Sequence, residues 1–218
     1  DQEMLEYPIE NAQKPSETIY IKDNSLSNVY FAVDFFMERS LRDEEMYALS
    51  IASHILTGTL HSRILGRARE KGLIYHVSSD FYRTRSQSCL WFASQISVEN
   101  LQSFLDILVS ELARLRDGQL DDGEFMAAKR YALGGYQLSA QTAGTICDNY
   151  VSQYLYDGRI DEYYHHFPAK LEKIAKQDVI DVLREMLEDE VWGIGLSGVV
   201  SDELRQTVYN QISALWQK

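Results

Sequence analysis

Apolar residues recur along this chain with two different periods, and the changes of period divide it into elements. Val29, Phe31, Val33 and Phe35 alternate with Tyr30, Ala32 and Asp34, which predicts a strand with an apolar face. A shorter β-rich run, Thr18 to Lys22, precedes it and is closed by the turn formers Asp23, Asn24 and Ser25. From Asp43 the spacing turns helical: Met46, Leu49, Ile51, Ala52, Ile55 and Leu56 predict an apolar helix that Gly58 ends. The stretch Arg63 to Asp80 starts as a helix, with Ile64, Leu65 and Ala68 set among Arg63, Arg67 and Arg69. Gly72 can take positive φ and stops that helix, after which Ile74 to Asp80 alternates as a strand. Tyr75 to Phe81 and Ser88 to Ile96 then read as a hairpin joined by the polar Arg83 to Gln87.

The second half is mostly helical in period. Leu101, Phe104, Leu105, Leu108, Val109, Leu112 and Leu115 form one broad helix face that ends at Gly118. Asp121, with Glu124 three residues on, predicts the start of a helix running towards Gly134 and Gly135. Thr142 to Leu155 predicts another, with Asp157 and Gly158 as its exit, and Pro168 is expected to split Tyr163 to Lys173 into two short pieces. Asp178 to Leu187 is amphipathic, Val191 to Leu196 is a strand followed by Gly198, and Ser201 caps a last helix carrying Leu204, Val208, Ile212 and Leu215. Strands grouped in hairpins and helices in long runs predict an α+β fold, a mostly antiparallel sheet with helices packed mainly on one face. Residues 18–218 are read as one domain, and the polar, Pro8- and Pro15-containing residues 1–17 as a linker or arm from something that precedes it.

Composition narrows the function. An apolar content of 45%, with 14 Tyr and 8 Phe, suffices for a large core, and a formal net charge of -12 opposes non-specific nucleic-acid binding, which needs a basic footprint. No stretch approaches the ~18 consecutive apolar residues of a membrane span. No signal peptide opens the chain, and a cytoplasmic setting is the favoured expectation. Cys89 and Cys147 match neither a disulfide framework nor a C-x-x-C metal site and are read as buried free thiols.

Motifs for self-contained catalysis are missing. Of the histidines, His54 and His61 lie seven apart with no acid between them, and His165 and His166 are adjacent and read as loop residues. Neither H-E-x-x-H nor H-x-x-E-H occurs, nor G-x-S-x-G, nor a P-loop, so no metal site is assigned in this chain. Arg63, Arg67, Arg69, Lys71, Arg83 and Arg85 make a local basic cluster that either binds an anion or pairs with the abundant acids.

Ser62-Arg63-Ile64-Leu65, followed by Ala68-Arg69-Glu70-Lys71-Gly72-Leu73-Ile74-Tyr75, resembles the S-R-L-F … L-R-E-K-x-G-L-x-Y signature of the insulinase/pitrilysin/processing-peptidase superfamily, in its C-terminal, zinc-free half. Ile19 to Asp23, Ala48 to Thr59, Asp121 to Gly134 with Glu124 and Lys129, Leu171 to Val182 and Val191 to Gly198 resemble further segments of that half, in the same order. The likeness covers about Thr18 to Lys218. It differs in having one residue fewer between arginine and tyrosine and in having Ala68 where a leucine is usual, so Arg67 competes with Arg69 for the arginine's place.

The resemblance implies two related α+β halves enclosing a peptide chamber, with zinc held by an H-x-x-E-H motif in the partner half and none here. This half would bind the peptide substrate and supply an Arg/Tyr pair, Arg69 and Tyr75, while being inert alone. The partner half would be fused upstream or be a separate subunit. The alternative the resemblance also allows is a structural or assembly subunit that kept the fold without the proteolytic chemistry.

Overall fold

Strand β2 (Val29–Met37) is the centre of the molecule because its alternation is so strict: Val29, Phe31, Val33, Phe35 and Met37 are buried on one face while Ala32, Asp34 and Phe36 are half-buried and Tyr30 exposed on the other. On one side it pairs antiparallel with β4 (Ser88–Ile96), Val33 opposite Phe92, and β4 pairs antiparallel with β3 (Ser78–Arg83), Phe81 opposite Leu90. On the other it pairs antiparallel with β5 (Trp192–Gly198), and β1 (Ile19–Lys22) lies parallel to β5 at the edge. The order is β1-β5-β2-β4-β3, a five-stranded, mostly antiparallel sheet, and the fold is α+β as its sequence pattern predicts. A computed structural model describes residues 13, 14, 16–139, 141–157, 160 and 163–217, without the side chains of 156, 157 and 163–165.

The helices are α1 (Asp43–Leu56), α2 (Arg63–Glu70), α3 (Val98–Arg116), α4 (Asp122–Ser139), α5 (Ala143–Asp157), α6 (Tyr163–Lys173), α7 (Lys176–Met186) and α8 (Asp202–Ser213), the last running into a 3-10 turn at Ala214–Trp216. They cover the face that carries Phe31 and Phe35. Phe31 meets Phe104 of α3 at 5.3 Å between ring centres, and Trp192 of β5 stacks on Trp216 at 5.9 Å. In α3 the predicted stripe is realised: Leu101, Phe104, Leu105, Leu108, Leu112 and Leu115 are all 0% exposed. Each such side chain stabilises the fold by about 1.5–3 kcal/mol through burial. Asp121 Oδ1 accepts from the Gly123 and Glu124 amides at the start of α4, and Ser201 Oγ accepts from Leu204 N at the start of α8, both as the cap signals predict.

Five expectations are corrected. The strand expected from Ile74 begins at Ser78, because Ile74 and Val77 are both buried, three residues apart, while Tyr75 and His76 between them are both exposed; that spacing is not a strand's. Helix α4 does not end at Gly134 and Gly135 but runs on to Ser139, carried by the buried Tyr136. Helix α6 passes through Pro168 unbroken, with Phe167 and Leu171 buried on either side of it, so tertiary packing outweighs the lost amide. His165 and His166 therefore lie in this helix and not in a loop. Cys89 is buried, but Cys147 is exposed on α5. Gly158, expected as an exit, and residues 1–12 and 15 of the expected arm lie outside the described residues.

Candidate functional site

Helix α2 ends in a hydrogen-bond pattern that its sequence dictates. Gly72 adopts φ 67°, its N–H donates to Arg69 O at 2.9 Å, and the next amide, Leu73 N–H, donates to Ala68 O at 2.9 Å. These are the two bonds of a Schellman terminus, which glycine permits because it has no Cβ to clash in the left-handed region. The chain doubles back over the last turn, and Tyr75 comes to lie against Arg69, the guanidinium carbon 5.0 Å from the ring centre.

Both sides of Tyr75 are anchored. Ile74 and Val77 plug the core, Asn100 Nδ2 donates to Leu73 O at 3.3 Å, and Ser94 Oγ donates to His76 O at 2.5 Å. Tyr75 itself is 82% exposed. A large aromatic ring is thus left open to water while the backbone on both sides of it is held. Packing does not explain it.

Helix α2 is fixed in turn by a charge network that sequence reading did not find. Glu111 of α3 is 0% exposed and accepts from Arg67 Nη1 and, at 3.1 Å, from Arg114 Nη1, with Arg63 Nη1 4.0 Å away. Arg63 also makes a two-pronged pair with Glu124, Nε to Oε1 and Nη2 to Oε2 both at 2.6 Å. The available signal was a lone acid inside the apolar stripe of α3, between Leu108 and Leu112, facing two arginines on α2. With Arg67 tied to Glu111, Arg69 is the arginine of α2 that stands beside Tyr75. Arg83 is likewise occupied, donating to Leu41 O and Asp43 Oδ1, both at 2.7 Å. Three of the six residues of the basic cluster, Arg63, Arg67 and Arg83, are therefore engaged by acids and backbone.

Chemically, Arg69 and Tyr75 offer a permanent cation and a phenolic O–H to something bound from outside. They include neither a base nor a nucleophile. His54 packs edge-on against Tyr131 at 4.9 Å, and burial lowers its pKa. Among the described residues no group of three His, Cys, Asp or Glu side chains is placed to hold a metal ion, and no helix is long and apolar enough to cross a membrane.

A sequence profile of the family described as the peptidase M16 inactive domain matches residues 2–131. No curated protein sequence matches the chain. Solved structures do. A chain of complex III2 from Candida albicans with Inz-5 bound superposes with a TM-score of 0.76 at 14% identity, covering 93% of this chain and 49% of that one. A peptidase M16 inactive domain from Pseudomonas fluorescens gives 0.68 at 20% identity, covering 87% and 46%. A protease from Helicobacter pylori gives 0.68 at 15%, covering 83% and 43%. The chain thus spans about half the length of the structures it matches.

Proposed function

Because the chain belongs to the peptidase M16 inactive-domain family, we propose that it is the zinc-free half of a two-half metallopeptidase, binding peptide and completing a site whose zinc lies in a homologous half. The observation that carries this reading is the exposed Arg69–Tyr75 pair at the end of α2, to which no other side chain among the described residues gives a hydrogen bond or ion pair. A partner of similar length would also account for the half-length coverage of the matched structures.

In such an assembly zinc, held by the partner, would polarise the scissile carbonyl and activate water. Tyr75 would donate its O–H to the oxygen on which charge develops, an interaction made mainly in the transition state. Arg69, packed on the same ring, would hold the peptide backbone through its planar donors and add to the positive field. Under this reading the chain would not cut peptide alone.

The test is reconstitution with the H-x-x-E-H half encoded beside or upstream of this chain. Tyr75→Phe is expected to lower kcat about 10²-fold with little change in peptide binding, the usual cost of removing one such donor. Peptide hydrolysis by the isolated chain, persisting after chelation, would overturn the reading. The fold match to a chain of complex III2 favours a second reading, an assembly subunit without proteolytic chemistry. Under that reading Tyr75→Phe changes nothing, and no neighbouring half carries the zinc motif.

A further inference from the structure

A cavity of about 480 Å³ opens beside the β3 edge, on the helix side of the sheet, between α1, α4, α5 and α6. Much of its wall is aromatic and apolar, from Met46 and Tyr47 of α1, Phe81 of β3, Tyr136 of α4 and Phe167 of α6, while Thr145, Asn149 and Gln153 of α5 add polar groups. Tyr136 stacks on Phe167 at 4.2 Å between ring centres, and Tyr47 meets the same ring edge-on at 5.1 Å, so the wall is preformed. Gly135 of α4 also lines it, and a Cβ built there meets nothing within 4 Å. A glycine in a helix interior weakens the helix, and here no close neighbour demands it. What its missing side chain preserves is open space in the cavity.

Strand β3 is an edge strand, paired with β4 alone among the described residues. Ser79, Phe81 and Arg83 sit opposite Phe92, Leu90 and Ser88, so they share the face turned to the helices. A strand added along β3 would project every second side chain onto that face, over the cavity. The Phe81 amide is donated to the Asp80 carboxylate at 2.8 Å, the kind of acidic cover that keeps an edge from pairing indiscriminately. At the mouth, Arg83 and Asp43 neutralise each other at 2.7 Å, so the cavity asks for an apolar side chain and not a charged one.

We infer that the β3 edge and this cavity form a second peptide site, which takes an extended segment by strand addition and seats one large apolar side chain beside Gly135. Neither Arg69 nor Tyr75 lines it, so it is independent of the reading above.

The test is selection of random heptapeptides displayed on phage against the isolated chain, followed by polarisation measurements with the enriched sequences as labelled, end-capped peptides. Enriched sequences are expected to fix one aromatic or large aliphatic position, whose change to Ala weakens binding tenfold or more. Gly135→Leu, which puts a better helix former into the free space, should weaken binding at least tenfold without lowering the melting temperature; Met46→Trp, from the α1 part of the wall, is the second variant. Asp80→Ala releases the Phe81 amide and should tighten binding several-fold. N-methylation of alternate peptide amides should abolish it in one register only. Tyr75→Phe should bind as the parent does, whatever its effect on turnover. Failure to enrich any sequence, equal binding by Gly135→Leu and Met46→Trp, or indifference to N-methylation in both registers would each overturn the proposal.

Discussion

The guanidinium carbon of Arg69 lies 5.0 Å from the centre of the Tyr75 ring, across a helix terminus closed by one glycine at φ 67°. The contact itself is worth about 0.5–1 kcal/mol at an exposed site, too little to organise the loop. The loop is organised by the Schellman bonds and the two plugs, Ile74 and Val77, and the pair follows from them. Gly72→Ala is therefore expected to cost about 1–2 kcal/mol through left-handed strain alone, since a Cβ there meets nothing within 4 Å. Urea denaturation measures it; Gly72→Asn should cost less, because asparagine tolerates this region better. Equal stability of the alanine variant would mean that the terminus is not held in this conformation.

Arg67 and Arg69 are two residues apart and differently placed, one on a buried acid and one on an exposed ring, so their alanine variants should differ in stability. Arg67→Ala takes one cation from a carboxylate that is 0% exposed, although Arg114 and Arg63 stay near it and Arg67 is itself 46% exposed. Removing one partner of a fully buried pair costs about 3–5 kcal/mol; with that exposure and those remaining partners, about 1–3 kcal/mol is expected. Arg69→Ala should cost below about 1 kcal/mol and leave the fold unchanged. Chemical denaturation of both variants side by side is the check. A larger loss for Arg69 would reverse the assignment of roles.

Most of the fold was legible because its signals are local. The alternation of β2, the stripe of α3 and the caps at Asp121 and Ser201 each need only a few consecutive residues to declare themselves. What was not legible depended on residues far apart in sequence. Phe167 and Leu171 carry α6 through Pro168 because the core, including Tyr47 and Tyr136, receives them, and Gly134 and Gly135 are helical because α4 is packed on both sides of them. In the site, the proximity of Arg69 and Tyr75 could be anticipated from the single glycine that ends the helix between them. That Arg67 is taken up by a buried acid could not, since Glu111 lies more than forty residues away. Nor could the cavity, whose wall is drawn from five separate elements.

The two thiols should behave as different chemical species. Cys89 is 1% exposed on β4, and burial pushes its thiol up to about 12, against a lowering hydrogen bond with Tyr82; Asp34 nearby adds to the rise. Cys147 is exposed on α5. Reaction needs thiolate and access together. At pH 8 the native chain is expected to release one equivalent of chromophore from a disulfide reagent within minutes, and two after unfolding in guanidinium. Two fast equivalents from the native chain would show that the sheet face over Cys89 opens readily.

Acid should find one particular weak point, at the start of α1. Glu45 Oε2 accepts from the Arg42 amide at 2.7 Å, closing the first turn, and the Arg39 and Arg42 guanidiniums bind the same carboxylate at 2.9 and 2.6 Å. Arg39 also forks onto Glu185 of α7, both contacts at 2.6 Å, so the network ties α1 to α7. Burial raises the Glu45 pKa, but the hydrogen bonds from Arg39, Arg42 and the Arg42 backbone outweigh it and hold the group at about 2, against an ordinary 4.5. A depressed carboxylate stabilises the fold fully above its unfolded pKa, and that stability is lost as pH falls through the folded one. The window here runs from 4.5 down to about 2. Because Arg39 and Arg42 are substantially exposed, solvent screening reduces the contribution to about 1–2 kcal/mol. Glu45→Gln should be less stable than the parent by that amount at pH 7, and the two should converge as the pH approaches 2. Denaturant midpoints measured at several pH values across the window decide it: parallel curves for the two chains would mean that Glu45 carries no such charge-dependent stability.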